Sequence, residues 1–291
     1  MAQAIITRRN SGGGGKVYTP VFTGTMNLVY TNAKQTGGYA EFTSSGTLTW
    51  AENTPPKKSD LFCVGGGGGG SNPTGNDIYY YQPGAAGSGF VKTITDAALT
   101  ESTDITIGAG GANSGTRLPS NRGGTTSIGN LCTAEGGFGA GNGSTTRADI
   151  VKGGNGGSGG AGGGAMLYDP WNSPHTISKG GNGGSNGGNG TRSTISSGDG
   201  TAGAPGSGAG TSTKDLIGRI HAGGGARTQD SDMGGHTYPG GVPGASDFEE
   251  GKGSGTYGGG GYGGGASNNG TGGQGFAMIA WGTYRKDLGL D

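Results

Sequence analysis

Two Gly-x-Ser-x-Gly pentapeptides carry the serines of this sequence that could act as nucleophiles, Ser158 and Ser185. In a serine hydrolase this pentapeptide forms a sharp turn between a strand and a helix, and a histidine and an acid must reach the serine. Both serines lie instead inside long glycine repeats, and the whole chain holds three histidines. We therefore expect no hydrolase chemistry and, more generally, no enzyme activity.

Phosphate- and metal-binding patterns are also incomplete. The EEGKGS stretch around Lys252 would need glycine in place of Ser246 and Ser or Thr in place of Gly253 to form a phosphate-binding loop. The three histidines share no spacing typical of metal ligands. Asp230 and Asp232 favour a solvated turn, with an adventitious cation as the alternative. We expect neither a metal nor an organic cofactor.

Aromatic side chains in the segments between the glycine repeats carry a better signal for binding. Tyr168, Trp171 and His175 lie in MLYDPWNSPH, and Tyr238 lies in HTYP. Flat aromatic faces stack on sugar rings and anchor protein contacts at low entropic cost. These four residues are the candidate receptor-binding residues. The alternative is that they cover the ends of the glycine-rich region or contact the β-strands.

Composition and charge exclude several classes of protein. The 19 basic residues balance 19 acidic ones, so the electrostatic signature of a nucleic-acid-binding protein is missing. No apolar run approaches the length of a membrane span, and the start MAQAIITRRN lacks the apolar region of a signal peptide. We expect a soluble protein made in the cytoplasm, without membrane insertion. With 77 glycines and 29 % hydrophobic residues, a conventional core can serve only part of the chain.

Strand patterns at both ends of the chain predict a β scaffold over residues 17–64, 89–134 and 275–284. Runs such as VYTPVFTGTMNLVYT, GYAEFTSSGTLTW and TTSIGNLCTA place β-formers between Gly, Pro, Asn and Ser. GFAMIAW is a compact apolar run after a long glycine-rich region, which indicates that the chain returns to the sheet where it began. Cys63 and Cys132 fall near predicted strand ends. We expect two small buried thiols there, with a single disulfide as the alternative.

The glycine repeats between these strands have a period of three. Residues 153–164 read GGN, GGS, GGA and GGG, and a shorter copy follows Lys179. Collagen would need far more than 11 prolines, and a flexible linker would need no strict triplet. Extended helices with three residues per turn make no internal hydrogen bonds, so neighbours can bond one another where glycine lets the backbones approach. The repeats predict an inserted bundle of polyglycine II helices over about 108–275, with sequence-diverse loops and essentially no α-helix.

Several stretches, taken in their order along the chain, resemble the glycine-rich tail-fibre and tail-tip adhesins of bacteriophages and prophages. They are MAQAIITRR, FTSSGTLTW, FCVGGGGGG, ITIGAGG, TTSIG, YGGGGYGGGASNN and GGQGFAMIAW. The resemblance implies a virion protein with a small antiparallel β-sandwich scaffold and a polyglycine II bundle whose loops contact the host surface. It also implies a homotrimer.

The combined expectation is a non-enzymatic receptor-binding protein of a phage tail. Residues 17–291 would form a single domain, and residues 1–16 an attachment segment for other tail or baseplate proteins. The loops would recognise a bacterial surface glycan or protein, and the protein would reside in the virion after synthesis in the host cytoplasm. Two alternatives stay open. One is a purely structural tail component without a receptor site, and the other is an ice-binding protein, which would need one regular face of small residues.

Overall fold

The described part of the chain is built of β-strands. A computed structural model describes residues 16–70, 86–112, 121–139, 154–157, 194–196, 199–201, 214–219, 221, 271–282 and 284. Within them the chain forms no α-helix, and no helix there is long and apolar enough to cross a membrane. The strands are β1 Pro20–Phe22, β2 Met26–Tyr30, β3 Gly38–Phe42, β4 Gly46–Trp50, β5 Ser59–Val64, β6 Val91–Ala97, β7 Ser102–Thr106, β8 Thr126–Ile128, β9 Cys132–Ala134, β10 Thr194–Ser196, β11 Asp199–Thr201 and β12 Phe276–Trp281.

Ten of these strands form two five-stranded antiparallel sheets. The first sheet has the order β1-β4-β7-β8-β9, and the second has the order β2-β3-β12-β5-β6. β10 and β11 pair with each other as an antiparallel ribbon. The prediction of a mainly β, antiparallel structure is confirmed.

The two sheets pack against each other through one hydrophobic core. The second sheet contributes Phe42, Leu61 and Ile279, and the first contributes Leu48 and Ile105, all 2 % exposed or less. Burying a side chain of this size contributes about 1.5–3 kcal/mol relative to leaving it in water. A conventional core is therefore present, and the larger of the two buried apolar clusters in the described residues lies between the sheets.

The long predicted strand runs near the start of the chain are each divided between the two sheets. β1 and β4 pair in the first sheet, while β2 and β3 pair in the second, so one long hairpin turns a corner between them. At the corner, an ideal Cβ on Gly24 would lie 2.7 Å from the carbonyl oxygen of Ser45. The Thr25 N–H donates to Ser44 Oγ at 2.6 Å. Strands that change sheets in this way make the corners of packed β-sheets.

The run TTSIGNLCTA, predicted as one strand, forms the hairpin of β8 and β9. Gly129 adopts φ +51° between them, and its N–H donates to the carbonyl of Asp104 at 2.7 Å. Glycine reaches this left-handed conformation without a Cβ penalty, so the chain can reverse there. The prediction of an uninterrupted strand was wrong because the Gly-Asn pair is a turn.

The final strand confirms the prediction made from GFAMIAW. β12 lies in the middle of the second sheet and pairs with both β3 and β5. All six of its residues are buried. Its far face, away from the first sheet, contributes Phe276 and Met278 to a second apolar cluster with Leu216 and Tyr284. Both faces of this strand are therefore covered.

Candidate functional site

The four predicted receptor-binding residues, Tyr168, Trp171, His175 and Tyr238, lie outside the described residues. The predicted attachment segment 1–16 also lies outside them, apart from Lys16. What the structure does describe is the set of glycine segments from which the intervening connections start. The candidate site is therefore built from those segments.

Residues 65–70, here called the central glycine segment, continue directly from β5 and are fully buried. Five successive N–H groups in it donate to carbonyls of other extended segments. Gly65 and Gly68 donate to segment 86–90, Gly66 and Gly69 donate to segment 121–124, and Gly67 donates to segment 271–275. The target segment therefore repeats every third residue. The acceptors are Phe90 at 3.0 Å, Gly124 at 2.9 Å, Gly273 at 2.9 Å, Gly87 at 2.9 Å and Asn121 at 3.0 Å.

Two further segments donate to the carbonyls of the central glycine segment. The Gly137 N–H donates to the Gly66 carbonyl at 2.8 Å, and the Gly111 N–H donates to the Gly67 carbonyl at 2.7 Å. We call the central glycine segment and its five partners the glycine array; the partners are 86–90, 108–112, 121–124, 135–139 and 271–275. Buried backbone groups need hydrogen-bond partners, and here they find them sideways rather than within a strand ladder or helix.

Close approach of the backbones explains why these positions are glycine. An ideal Cβ at Gly68 would lie 2.6 Å from the backbone nitrogen of Gly139. At Gly154 it would lie 2.7 Å from the nitrogen of Gly87. Real Cβ atoms essentially never approach a heavy atom closer than 3.0 Å. Any larger residue would therefore push two segments apart and weaken their hydrogen bonds.

Sequence reasoning missed the centre of the array. It placed the glycine segments at about 108–275, whereas the central glycine segment and segment 86–90 precede that range. The sequence did contain a signal for this segment: six glycines follow FCV directly, with no turn residues between the predicted strand and the glycines.

Arg122 holds one side of the array. Its Nε donates to the Gly136 carbonyl at 2.9 Å, and its guanidinium lies 4.3 Å from the centre of the Phe138 ring. It also forms an ion pair with the carboxylate of Glu135. One side chain thus joins segments 121–124 and 135–139 by a hydrogen bond, a cation–π contact and a charge pair.

A buried polar cluster attaches residues 214–219 and His221 to the outer face of the second sheet. Asp215 is 5 % exposed, and its Oδ1 accepts from the backbone N–H of Ile217 at 3.1 Å and of Arg219 at 2.9 Å. Its Oδ2 accepts from Arg219 Nε at 2.7 Å and lies 2.9 Å from His221 Nε2. Arg219 also reaches Glu41 of β3 with an N–O distance of 2.5 Å. Sequence reasoning considered His221 only as a metal ligand and missed this cluster.

The electrostatics of the cluster favour a structural ion pair. Burial by itself raises the pKa of the Asp215 carboxyl, but hydrogen bonds from His221 and Arg219 outweigh it and hold the pKa below its usual value. Burial likewise opposes the charge on Arg219, but Asp215 and Glu41 raise its pKa. Both groups are therefore charged at neutral pH. Nothing in this arrangement exposes a nucleophile, and the described residues hold no group of three or more metal-ligand side chains.

The two cysteines are free thiols between the sheets. Both are buried, and Cys63 Sγ donates to the Cys132 carbonyl at 3.7 Å. Cys132 Sγ donates to the Lys92 carbonyl at 3.5 Å. Burial raises the pKa of the Cys63 thiol well above its usual value. Cys63 and Cys132 are therefore two small buried thiols, as the sequence predicted.

The family comparison agrees with this architecture. A family model described as a glycine-rich domain matches residues 43–282. Among curated proteins, no sequence matches the chain significantly. The matched region begins just before β4, ends just after β12, and includes every segment of the glycine array. Because the match covers far more than half of the chain, this protein belongs to the family of glycine-rich domains.

Proposed function

We propose that the protein is a receptor-binding component of a phage tail, which recognises a bacterial surface glycan or protein without enzymatic chemistry. The observation that carries the proposal is the glycine array, a laterally bonded scaffold attached to the β-sheets through β5 and β12. Scaffolds of this kind are suited to holding variable connections in place, because binding residues are commonly found on loops positioned by a rigid framework.

The glycine array forms part of a polyglycine II bundle in this proposal. This proposal is supported by the hydrogen bonds of the central glycine segment, in which every third N–H donates to the same neighbouring segment. A helix with three residues per turn directs successive N–H groups 120° apart, so every third one meets the same neighbour. The GGX triplets of residues 153–164 have the same period. We propose that they extend the bundle.

The candidate receptor-binding residues fall between residues 157 and 272, in the chain on either side of residues 214–219, which pack on the second sheet. Gly157 donates its N–H to the Ser88 carbonyl at 2.9 Å, and Gly272 donates to the Gly111 carbonyl at 2.9 Å. The chain between them contains Tyr168, Trp171, His175 and Tyr238. Anchored ends reduce the conformational entropy that a binding loop loses on contact with its receptor. We therefore propose that the receptor site lies on these connections, and that residues 1–16 attach the protein to other tail proteins.

Binding of the full-length, fluorescently labelled protein to a panel of bacterial strains tests the proposal. On a strain that binds it, we expect the double substitution Trp171→Ala and Tyr168→Ala to weaken binding at least tenfold, because buried aromatic anchors dominate interfaces. Leu131→Ala is the matched control, since Leu131 is an exposed apolar residue in the β8–β9 turn. Its binding should be unchanged.

The same experiment separates the purely structural alternative. A double variant that folds and still binds cells as tightly as the natural protein contradicts the loop site. A protein that binds no strain yet still assembles with tail components is a structural virion component. The proposed homotrimer is checked by light scattering of the purified protein, where a monomeric mass contradicts it.

A further inference from the structure

A cavity of about 530 Å³ lies at the end of the β-sheets opposite the glycine array. β5 and β12 are antiparallel, with Val64 beside Phe276 at the array end and Ser59 beside Trp281 at the other end. Ser59 and Trp281 line the cavity, together with Lys16 and Lys57. Its volume is in the range typical of small-molecule binding sites.

Two ammonium groups at this cavity, those of Lys16 and Lys57, have no carboxylate partner among the described residues, and Lys16 Nζ lies 6.0 Å from the centre of the Tyr18 ring. Lys58 pairs with Asp96 at 3.3 Å, and both side chains are largely exposed. The carboxylate of Asp60 accepts from Tyr284 Oη at 2.5 Å and from the Asp96 N–H at 3.1 Å. The cavity therefore offers positive charge to an anionic ligand.

Two residues that line the cavity, Ser59 and Trp281, also hold a buried polar atom that lacks a partner in the described part of the chain. Ser59 is 2 % exposed and Trp281 is 1 % exposed. Neither Ser59 Oγ nor Trp281 Nε1 has a hydrogen-bond partner among the residues described. Buried polar groups without partners are rare and point to a missing ligand, ion or water. Since the indole N–H is a donor and the hydroxyl is both donor and acceptor, a ligand with acceptor oxygens would satisfy both groups.

We propose that this cavity binds an acidic sugar. A carboxylate would be held by Lys16 and Lys57, and hydroxyl or ring oxygens would approach the wall formed by Ser59 and Trp281. An acidic peptide fits less well, because the cavity lies at strand ends and offers no free strand edge for main-chain pairing. The site is independent of the proposed loop receptor site, and it would exist equally in a purely structural tail component.

Titration of the full-length protein with a matched pair of glycosides tests this site. Methyl β-D-glucuronide and methyl β-D-glucoside differ in the carboxylate, and N-acetylneuraminic acid provides a second acidic sugar. The readout is the indole N–H resonance of Trp281 in nitrogen-15 NMR, assigned with a Trp281→Phe variant among the three tryptophans. We expect saturable shifts with an acidic sugar at about millimolar Kd or tighter, and much weaker binding of the neutral glycoside.

Charge variants locate the carboxylate. The double substitution Lys16→Gln and Lys57→Gln should weaken acidic-sugar binding at least about tenfold, since two charge-assisted hydrogen bonds are lost. Lys92→Gln is the control, because Lys92 is an exposed lysine of β6 that does not line the cavity. Equal binding of the neutral and acidic glycosides overturns the proposal, as does the absence of saturable binding of both acidic sugars. Tighter binding of acetyl-triglutamate amide than of either sugar also overturns it, and assigns the site to acidic peptides.

Discussion

Substitution of Gly68 by alanine tests whether close backbone packing holds the glycine array together. Gly68 lies in the central glycine segment, and its backbone is not in the left-handed region. Alanine can therefore adopt the same backbone conformation, so any loss of stability must come from the space that the Cβ needs. That Cβ would lie less than 3.0 Å from the backbone of residues 138 and 139, and the neighbouring segment would have to move by nearly an ångström to relieve the clash.

The expected magnitude follows from the hydrogen bonds beside Gly68. Its N–H donates to the Gly87 carbonyl at 2.9 Å, and the Gly87 N–H donates to the Phe138 carbonyl at 3.0 Å. A buried group left without its partner costs about 1–3 kcal/mol, so disturbing both bonds costs roughly 2–6 kcal/mol. Alanine offsets about 0.5–1 kcal/mol of this because it loses less conformational entropy on folding. We expect a net loss of about 1–5 kcal/mol in the free energy of unfolding.

Urea unfolding of the two proteins, with hydrogen exchange of the array amides, measures this loss. Gly129→Ala is the matched control. Gly129 has a left-handed φ of +51°, but the nearest atom to its Cβ would be 3.4 Å away. Its cost is therefore the backbone penalty alone, about 1–2 kcal/mol. If Gly68→Ala lowers the free energy of unfolding by less than Gly129→Ala, close packing is not what selects glycine in the array.

Three further predictions concern the contacts around the array and the sheets. Asp215→Asn should weaken the attachment of residues 214–221 by about 1.5–3 kcal/mol, seen as faster amide exchange and proteolysis there. Because the pKa of Asp215 is lowered in the folded state, its stabilisation is present above the usual value of 3.8 and is lost as the pH falls through the lowered pKa. Arg122→Ala should lower the free energy of unfolding in urea by about 1–2 kcal/mol. Arg122→Lys should lower it by less, because the ammonium keeps the charge but lacks the planar fork of the guanidinium. Cys63 and Cys132 should resist alkylation by iodoacetamide in the native protein and react in urea.

Each of these predictions has an outcome that contradicts it. Protection of residues 214–221 that does not change between neutral pH and pH 3 means that Asp215 does not hold this segment through its charge. An Arg122→Lys variant as stable as the natural protein means that the guanidinium contacts with Gly136 and Phe138 contribute nothing. Alkylation of the native thiols at the rate of a free peptide means that the space between the sheets is open to solvent.

The strand content was largely predictable from the sequence, whereas the assignment of strands to sheets was not. GFAMIAW was predicted as a buried strand because six apolar residues in a row have no solvent face, and β12 is buried throughout. The division of GYAEFTSSGTLTW between two sheets leaves no such signature. The division depends on two strand pairings, β4 with β7 and β3 with β12, and each joins strands that are distant in the sequence.

The candidate sites show the same division. The loop aromatics were proposed from residue type alone, and they stay a prediction because they lie outside the described residues. The cavity at Trp281 could not be proposed in this way, since Lys16, Ser59 and Trp281 come from three separate parts of the chain. Likewise, the four-residue spacing of Asp215 and Arg219 can be read from the sequence. The ion pair between Arg219 and Glu41 cannot, because β3 of the second sheet brings Glu41 to this segment.

The sequence by itself determined that strands stand before and after the glycine-rich region, and its three-residue repeats predicted extended segments there. A local period is a property of neighbouring residues, so it needs no knowledge of the fold. Only the tertiary structure decided that residues 65–70 lie at the centre of the array and bond to segments as distant as 271–275. The physical reason is that glycine segments present identical backbone donors and acceptors. Their partners are selected mainly by the β-sheets that bring them together, because few side chains, such as Arg122 and Phe138, distinguish one segment from another.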